Sequence, residues 1–260
     1  MNKRTLNAFT ILVTRPREQA ESFVRQLEER GAACEIVPLI RIEPPASYND
    51  CDDALARLRE YDGIICTSVN AVTQLVARMN EAQKKIAQQL PTFVVGCETY
   101  EAAASAGLRP MPPPAVHDAV HLANEMAERG VAGKKFLLPQ GNRVRGELKQ
   151  MLLSRGAQVD DVVVYRTVGA AEADADRVQH LMKNNPPEVV AFFSPSAVGQ
   201  FAALVPAPIP SACAVIGKTT ADAVERAGFV VDIVADPSTA EGLVASIEMF
   251  LAHRVLERDR

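Results

Sequence analysis

The chain has no continuous apolar run of about eighteen residues, the length a membrane-spanning helix needs, although apolar residues fill 48% of its 260 positions. No membrane association is expected. Ahead of the apolar run that starts at Phe9, the segment Met1-Asn2-Lys3-Arg4-Thr5-Leu6-Asn7 has some positive charge but no hydrophobic stretch ending in a small-residue cleavage pattern, so no export signal is expected. Cysteine is sparse. Cys34, Cys51, Cys66, Cys97 and Cys213 are odd in number, widely spaced and mostly set in strand-like apolar runs, which reads as small buried hydrophobes in a reducing, cytoplasmic compartment. Positive charge is not in excess either. A formal net charge of −4, with both signs interspersed, lacks the dense basic face that nucleic acid requires, so no nucleic-acid partner is expected and any anionic ligand has to be held by local features.

Several motifs are also missing. Neither G-x-G-x-x-G after a strand nor G-x-x-x-x-G-K-[ST] occurs, so dinucleotide and P-loop chemistry have no support and no cofactor is expected. No G-x-S-x-G elbow is present, which disfavours serine hydrolysis. His117 and His121 stand four apart, a spacing a metal could use, but no third ligand lies near, and an exposed helix start is the simpler reading; no metal is assigned. Asp160-Asp161 and the group Asp50, Asp52 and Asp53 read as solvated faces or helix-start charges rather than paired catalytic carboxylates.

What is present is alternation. Short apolar runs alternate with segments of helical period along the whole chain, the pattern of βαβ units around a parallel sheet, and ten or so strands fit it. Phe9–Thr14 is a buried-strand run; Ala20, Phe23, Val24 and Leu27 then recur at helical spacing until Gly31, and Cys34–Val37 restarts as a strand. The same grammar closes helices at Gly107, Gly130, Gly156 and Gly228. The length exceeds what one core usually serves, so one large or two modest domains are expected.

Sliding the chain against itself by about 125 positions exposes an internal repeat, far longer than a solenoid period, which implies two similar lobes. Ile11-Leu12-Val13, leading to Arg15, Arg17 and Gly31-Ala32, lies over Phe136-Leu137-Leu138, leading to Gln140, Asn142 and Gly156-Ala157. Ser68-Val69-Asn70-Ala71-Val72 lies over Ser194-Pro195-Ser196-Ala197-Val198, and Gly96-Cys97-Glu98-Thr99 over Gly217-Lys218-Thr219-Thr220, each after an apolar strand. Pro38–Pro44 and Val162–Val168 lack helical period and read as extended connectors. A chain that leaves lobe one at the first and returns at the second would leave two antiparallel linking strands; a head-to-tail tandem explains the repeat equally well.

Ligands of open α/β sheets bind beyond the carboxyl ends of the strands, where helix N-termini offer N–H groups and a partial positive charge. Thr67, Ser68, Asn70, Thr99, Ser194, Ser196, Thr219 and Thr220 fall at such junctions. Helix capping alone accounts for any one of them, and Asp would cap equally well. The repeated choice of neutral hydroxyl or amide groups, which do not repel an anion, favours an anion site. Each helix end contributes about 0.3–1 kcal/mol toward an anion, so several converging ends with a few basic residues could hold a polyanion. Arg15 and Lys218 are the basic candidates, whereas Arg17, Arg143 and Arg145 fit exposed helix faces equally well. Tyr165 sits in the second connector, an amphipathic ring in a β ladder or a weak general acid.

Ile11-Leu12-Val13-Thr14-Arg15-Pro16, Pro38-Leu39-Ile40, Thr67-Ser68-x-Asn70-Ala71-Val72, Val164-Tyr165-Arg166, Phe193-Ser194-Pro195-Ser196-Ala197-Val198 and Ile216-Gly217-x-Thr219-Thr220-Ala221, in this order, resemble the uroporphyrinogen-III synthase family. The resemblance runs from about Phe9 to Phe250 and includes Ala235–Val244, with Pro237, Thr239, Glu241 and Gly242-Leu243. It implies an α/β fold of two similar lobes, each a parallel sheet flanked by helices, joined by a two-stranded antiparallel linker. Lobe one would be residues 1–39 with 167–260 and lobe two 40–166, with linkers near 38–44 and 162–168. It also implies a cofactor-independent cyclisation of the linear tetrapyrrole hydroxymethylbilane to uroporphyrinogen III, with inversion of the last pyrrole ring and the substrate carboxylates bound in the interlobe cleft. Thr99, Tyr165, Ser194, Ser196, Thr219 and Thr220 match the family's binding positions, Tyr165 as suspected proton donor. Two departures stand out: Lys218 replaces a frequent proline, and Pro139-Gln140-Gly141-Asn142 replaces a commoner arginine-glycine pattern. The resemblance leaves room for transient contact with the preceding pathway enzyme. The competing expectations are a non-catalytic tetrapyrrole or polyanion sensor, and a two-lobed periplasmic-type binding protein.

Overall fold

The computed structural model describes residues 5–113, 119–143 and 146–258. His117 and Arg145 lie outside the described residues. In chain order the elements are β1 (Thr10–Val13), α1 (Arg17–Glu29), β2 (Ala33–Ile36), β3 (Ile40–Glu43), α2 (Asn49–Ala56), a 3-10 turn (Leu58–Glu60), β4 (Gly63–Cys66), α3 (Val69–Arg78), α4 (Glu81–Ala87), β5 (Pro91–Val94), α5 (Cys97–Ser105), β6 (Arg109–Pro110) and α6 (Ala119–Glu128). Then follow β7 (Lys135–Gly141), α7 (Glu147–Leu153), β8 (Gln158–Gly169), α8 (Glu172–Asn184), β9 (Val189–Phe192), α9 (Pro195–Leu204), β10 (Ala212–Val215), α10 (Lys218–Arg226), β11 (Ile233–Val234) and α11 (Ala240–Arg258). The five glycines expected to close helices, Gly31, Gly107, Gly130, Gly156 and Gly228, all have positive φ, between 78° and 96°. Residues 189–217 contain no Asp, Glu, Lys or Arg, yet they divide into β9, α9 and β10, and among the described residues no helix is long and apolar enough to cross a membrane.

Two compact units result, one from Met1–Arg41 with Val168–Arg260 and the other from Ile42–Thr167. The first carries a five-stranded sheet in the order β11-β10-β9-β1-β2, with every adjacent pair parallel. Its strands are apolar on both faces, as a parallel sheet covered by helices demands. Ile11, Val13, Val189 and Ala191 face one core with Phe23 and Leu27 of α1 and Leu243 and Ile247 of α11. Leu12, Val190 and Phe192 face the other core, with Val198 and Phe201 of α9 and Val224 of α10.

The second unit carries a six-stranded sheet in the order β3-β8-β7-β4-β5-β6. Ile64, Cys66 and Leu137 point into a core shared with Val72 and Leu75 of α3, whereas Ile65, Phe136 and Leu138 point into a core shared with Leu122 of α6 and Leu152 of α7. The two extended connectors form strands: the first supplies β3, and the second is the end of the twelve-residue β8. The chain changes unit within β3 and again within β8, neighbours in the six-stranded sheet. The repeated segments occupy equivalent places, since β10-β9-β1-β2 in the first sheet corresponds to β5-β4-β7-β8 in the second.

Candidate functional site

In both sheets the chain reverses its winding beside the first repeated strand: between β1 and β9 in the first unit, and between β4 and β7 in the second. A crevice opens beyond the carboxyl ends of the strands at such a switch point, because the flanking connections leave toward opposite sides. The residues singled out from the sequence follow these strand ends.

In the second unit, β4 ends at Cys66 and leads through half-buried Thr67 to Ser68, the N-cap of α3, whose side chain accepts from the Ala71 N–H at 3.1 Å. In the first unit, β9 leads to Ser194, the N-cap of α9, whose side chain accepts from the Ala197 N–H at 3.3 Å. The two caps have nearly the same backbone, φ −157° and ψ 153° for Ser68 against φ −158° and ψ 151° for Ser194, so the repeat is preserved at the level of geometry. Asn70 and Ser196 are the second residues of those helices.

The other junction pair differs from the expectation that hydroxyls cap it. Gly96 and Gly217 stand at the N-caps of α5 and α10 and offer no side-chain acceptor, while Thr99 and Thr220 are the third residues of their helices and are 5% and 3% exposed. Of the hydroxyl and amide residues proposed as caps, Ser68 and Ser194 cap; Asn70, Thr99, Ser196, Thr219 and Thr220 lie inside the first turn because the cap position is already taken by serine or glycine. Lys218 and Thr219 are exposed on the first turn of α10, and Lys218 pairs with Asp222 at 3.2 Å. Ser238 packs against the same junction, its Oγ 3.2 Å from where a Cβ on Gly217 would stand.

At the end of β1, Thr14 is fully buried and its hydroxyl donates to the Ala191 carbonyl at 2.8 Å, tying β1 to β9. Arg15 follows, its guanidinium 5.0 Å from the centre of the Phe193 ring and its Nε donating to Gln19 at 3.3 Å. Arg17 and Arg143 are exposed. The stacking gives Arg15 a defined direction at the strand end, which a lysine would not have.

Tyr165 lies on β8, partly buried against the core of the second unit. Its ring covers Gly141 at the end of β7: a Cβ on Gly141 would stand 2.6 Å from Cε2 and 2.7 Å from Cζ of the ring. Its hydroxyl is 3.2 Å from Ser68 Oγ. Asn142 fastens the same segment, with its N–H donating to the Tyr165 carbonyl at 3.2 Å and its Oδ1 accepting from the Thr167 N–H at 2.9 Å. No local sequence pattern marks these roles of Gly141 and Asn142, which depend on how β7 and β8 pair. The departure of Pro139-Gln140-Gly141-Asn142 from the family's pattern marked the place but not the contact.

The cysteines divide sharply. Cys51, Cys66 and Cys213 are buried and Cys34 is half-buried; burial pushes the thiols up, to about 11 for Cys51 and about 12 for Cys34, Cys66 and Cys213. Cys97 departs from the buried-hydrophobe reading: it is exposed, as the first residue of α5.

With this geometry in view, the comparisons with known proteins decide the family. The family model described as uroporphyrinogen-III synthase HemD matches residues 21–245. The chain belongs to the uroporphyrinogen-III synthase family. It is 29% identical to the uroporphyrinogen-III synthase of Chlorobaculum parvum, over 92% of this chain and 99% of that one. It is 28% identical to the uroporphyrinogen-III synthase of Synechococcus elongatus, over 96% and 98%. Among solved structures, a mutant uroporphyrinogen III synthase from the extreme thermophile Thermus thermophilus shares the fold at a TM-score of 0.66 and 16% identity, covering 94% of this chain and 99% of that one. The uroporphyrinogen-III synthetase of Helicobacter pylori does so at 0.62 and 15%, covering 91% and 97%. The activity is that of uroporphyrinogen-III synthase, a hydro-lyase of tetrapyrrole biosynthesis.

Proposed function

We propose that the chain takes hydroxymethylbilane as its substrate and closes it to uroporphyrinogen III with the last pyrrole ring inverted, holding the acetate and propionate groups at the helix N-termini beyond the carboxyl ends of both sheets. In this reading the terminal hydroxyl leaves as water, expelled by the lone pair of its pyrrole nitrogen and helped by a proton from the Tyr165 hydroxyl. The resulting azafulvene is trapped at the substituted carbon of the last ring, and a spiro intermediate rearranges before closure. The uncatalysed chain closes without inversion, so the protein has to fold a flexible guest more than it has to supply a strong acid. Orientation of this kind is worth several kcal/mol of barrier.

The observation that carries the proposal is the matched pair of serine-capped junctions at the two switch points, one of them carrying the Tyr165 hydroxyl 3.2 Å from Ser68 Oγ. Arg15, Thr67, Asn70, Ser194, Ser196, Lys218 and Thr219 supply the remaining charge and hydrogen bonds to carboxylates, with buried Thr99 and Thr220 shaping the first turns of α5 and α10. We propose further that segments 38–44 and 162–168 are the linkers between lobes 1–39 with 167–260 and 40–166; the change of unit within β3 and within β8 supports this. The test is to incubate the purified protein with freshly made hydroxymethylbilane, oxidise the products and resolve the isomers. The inverted type III isomer is expected, and the symmetric type I isomer alone would refute the reading.

A further inference from the structure

The β7–β8 ladder contains an irregularity at the one place where it matters for the site. Val162 and Val164 face the core that contains Cys66 and Leu137, as strict alternation along a strand requires, and Val163, on the other face, is 38% exposed. Tyr165 should then point with Val163. Instead it packs against the same core as Val164 and reaches Ser68. The register accounts for this: Gln140 is paired with Val163 but Gly141 with Tyr165, so β8 spends one extra residue against one step of β7. A bulge of this kind re-aims the side chain that follows it.

Two neighbours make the re-aimed position usable. Gly141 provides the floor, since any Cβ there would stand 2.6 Å from the ring and 3.0 Å from the hydroxyl oxygen. Ser68 provides the anchor. Its oxygen accepts from the Ala71 N–H and its own proton can be given to the Tyr165 oxygen at 3.2 Å, an arrangement in which the phenolic proton is free for another acceptor.

We infer that Gly141 and Ser68 are positioning residues for Tyr165, the glycine by admitting the ring over β7 and the serine by orienting the hydroxyl. This rests on the reading that the Tyr165 hydroxyl acts on the substrate. The test is a double-mutant cycle read as kcat and KM for type III product with Gly141→Ala, Tyr165→Phe and both together. Tyr165→Phe is expected to lower kcat about tenfold, and Gly141→Ala to lower it by a similar factor with KM changed less than about twofold. In the Phe background the ring still meets the alanine methyl, but there is no hydroxyl left to misplace, so Gly141→Ala should change kcat by less than about twofold. An equal loss in both backgrounds would mean that the alanine damages the fold generally, and would overturn the inference while leaving the role of Tyr165 intact. A Tyr165→Phe variant with unchanged kcat would overturn both. If Gly141→Ala does not fold, Ser68→Gly and Ser68→Thr carry the test: Gly keeps the helix start but loses the hydroxyl and should lower kcat about as much as Tyr165→Phe, while Thr keeps the hydroxyl and should restore most of it. Ser68→Gly with wild-type kcat would refute the anchor.

Discussion

Gly242 and Gly199 are both helical glycines in the first unit, and replacing each by alanine should move stability in opposite directions. A Cβ on Gly242, in the first turn of α11, would stand 2.0 Å from the Pro237 carbonyl oxygen and 3.0 Å from the Pro237 carbonyl carbon and nitrogen. These are backbone atoms. The carbonyl also accepts from the Thr239 N–H at 2.7 Å, and Thr239 in turn accepts from the Gly242 N–H at 3.1 Å. The turn therefore has to move as a body, pulling on Leu243, Val244, Ile247 and Leu251, all fully buried. Overpacking of this severity costs about 3 kcal/mol, which for a unit of this size lowers Tm by roughly 10 °C. Gly199 is interior to α9 and has nothing within 4 Å of its Cβ position, so Gly199→Ala should gain about 0.5–1 kcal/mol from reduced backbone entropy and raise Tm by a few degrees. The same turn places Ser238 against Gly217, so Gly242→Ala should also reduce kcat/KM, whereas Gly199→Ala should not. Differential scanning calorimetry with steady-state kinetics on both variants measures this. A Gly242→Ala protein that melts at or above the wild-type temperature would refute the geometric argument.

Thr220→Val, which keeps the shape of a 3%-exposed side chain at the start of α10 but removes its hydroxyl, should reduce kcat/KM more than Tyr165→Phe; equal or reversed losses would contradict the account in which guest positioning outweighs acid catalysis. A thiol reagent at neutral pH should label Cys97 rapidly and the other four cysteines only on unfolding, and a substrate analogue should slow the labelling; fast loss of a second thiol in the native protein would contradict the burial that raises the others. Burial alone would raise the Asp160 carboxyl, but the Tyr61 hydroxyl at 2.7 Å and Lys135 at 3.3 Å outweigh it and hold it below the ordinary carboxylate range. A depressed carboxyl stabilises the fold above the unfolded value and loses that contribution as pH falls, so the urea midpoint should drop below roughly pH 4 and do so less steeply in Tyr61→Phe. Parallel pH profiles for the two proteins would rule this out.

Much of the site was legible because it is written in short local patterns. An apolar strand followed by Ser-x-Asn or Ser-Pro-Ser can do little except end a sheet and start a helix, and Ser68 and Ser194 cap their helices at positions equivalent within the two sheets. The glycine-led junctions differ: a helix capped by Gly96 or Gly217 places Thr99 or Thr220 three positions beyond the cap, where it is buried rather than capping. Cys97 is exposed for a different reason: the apolar strand before it ends at Val94, which leaves Cys97 on the first turn of α5 rather than in the sheet. The Tyr165 contact was invisible in the sequence, because a register shift between β7 and β8 is a property of two strands and neither alone specifies it.

By itself the sequence determined the elements, their alternation, the duplication and the family, all of which depend on residues within a turn or two of one another or on ordered motifs along the chain. Its local pattern did not determine which half of one repeat shares a sheet with which half of the other; an answer came only as an implication of the family resemblance. Only the tertiary structure decided that β1 and β2 join β9, β10 and β11 while β4, β5 and β6 join β7 and β8. The reason is physical: equivalent strands from either repeat offer the same apolar faces and backbone hydrogen bonds, so local pattern is indifferent to the choice. It is made by long-range pairing, with the chain carried from one sheet to the other through β3 and β8.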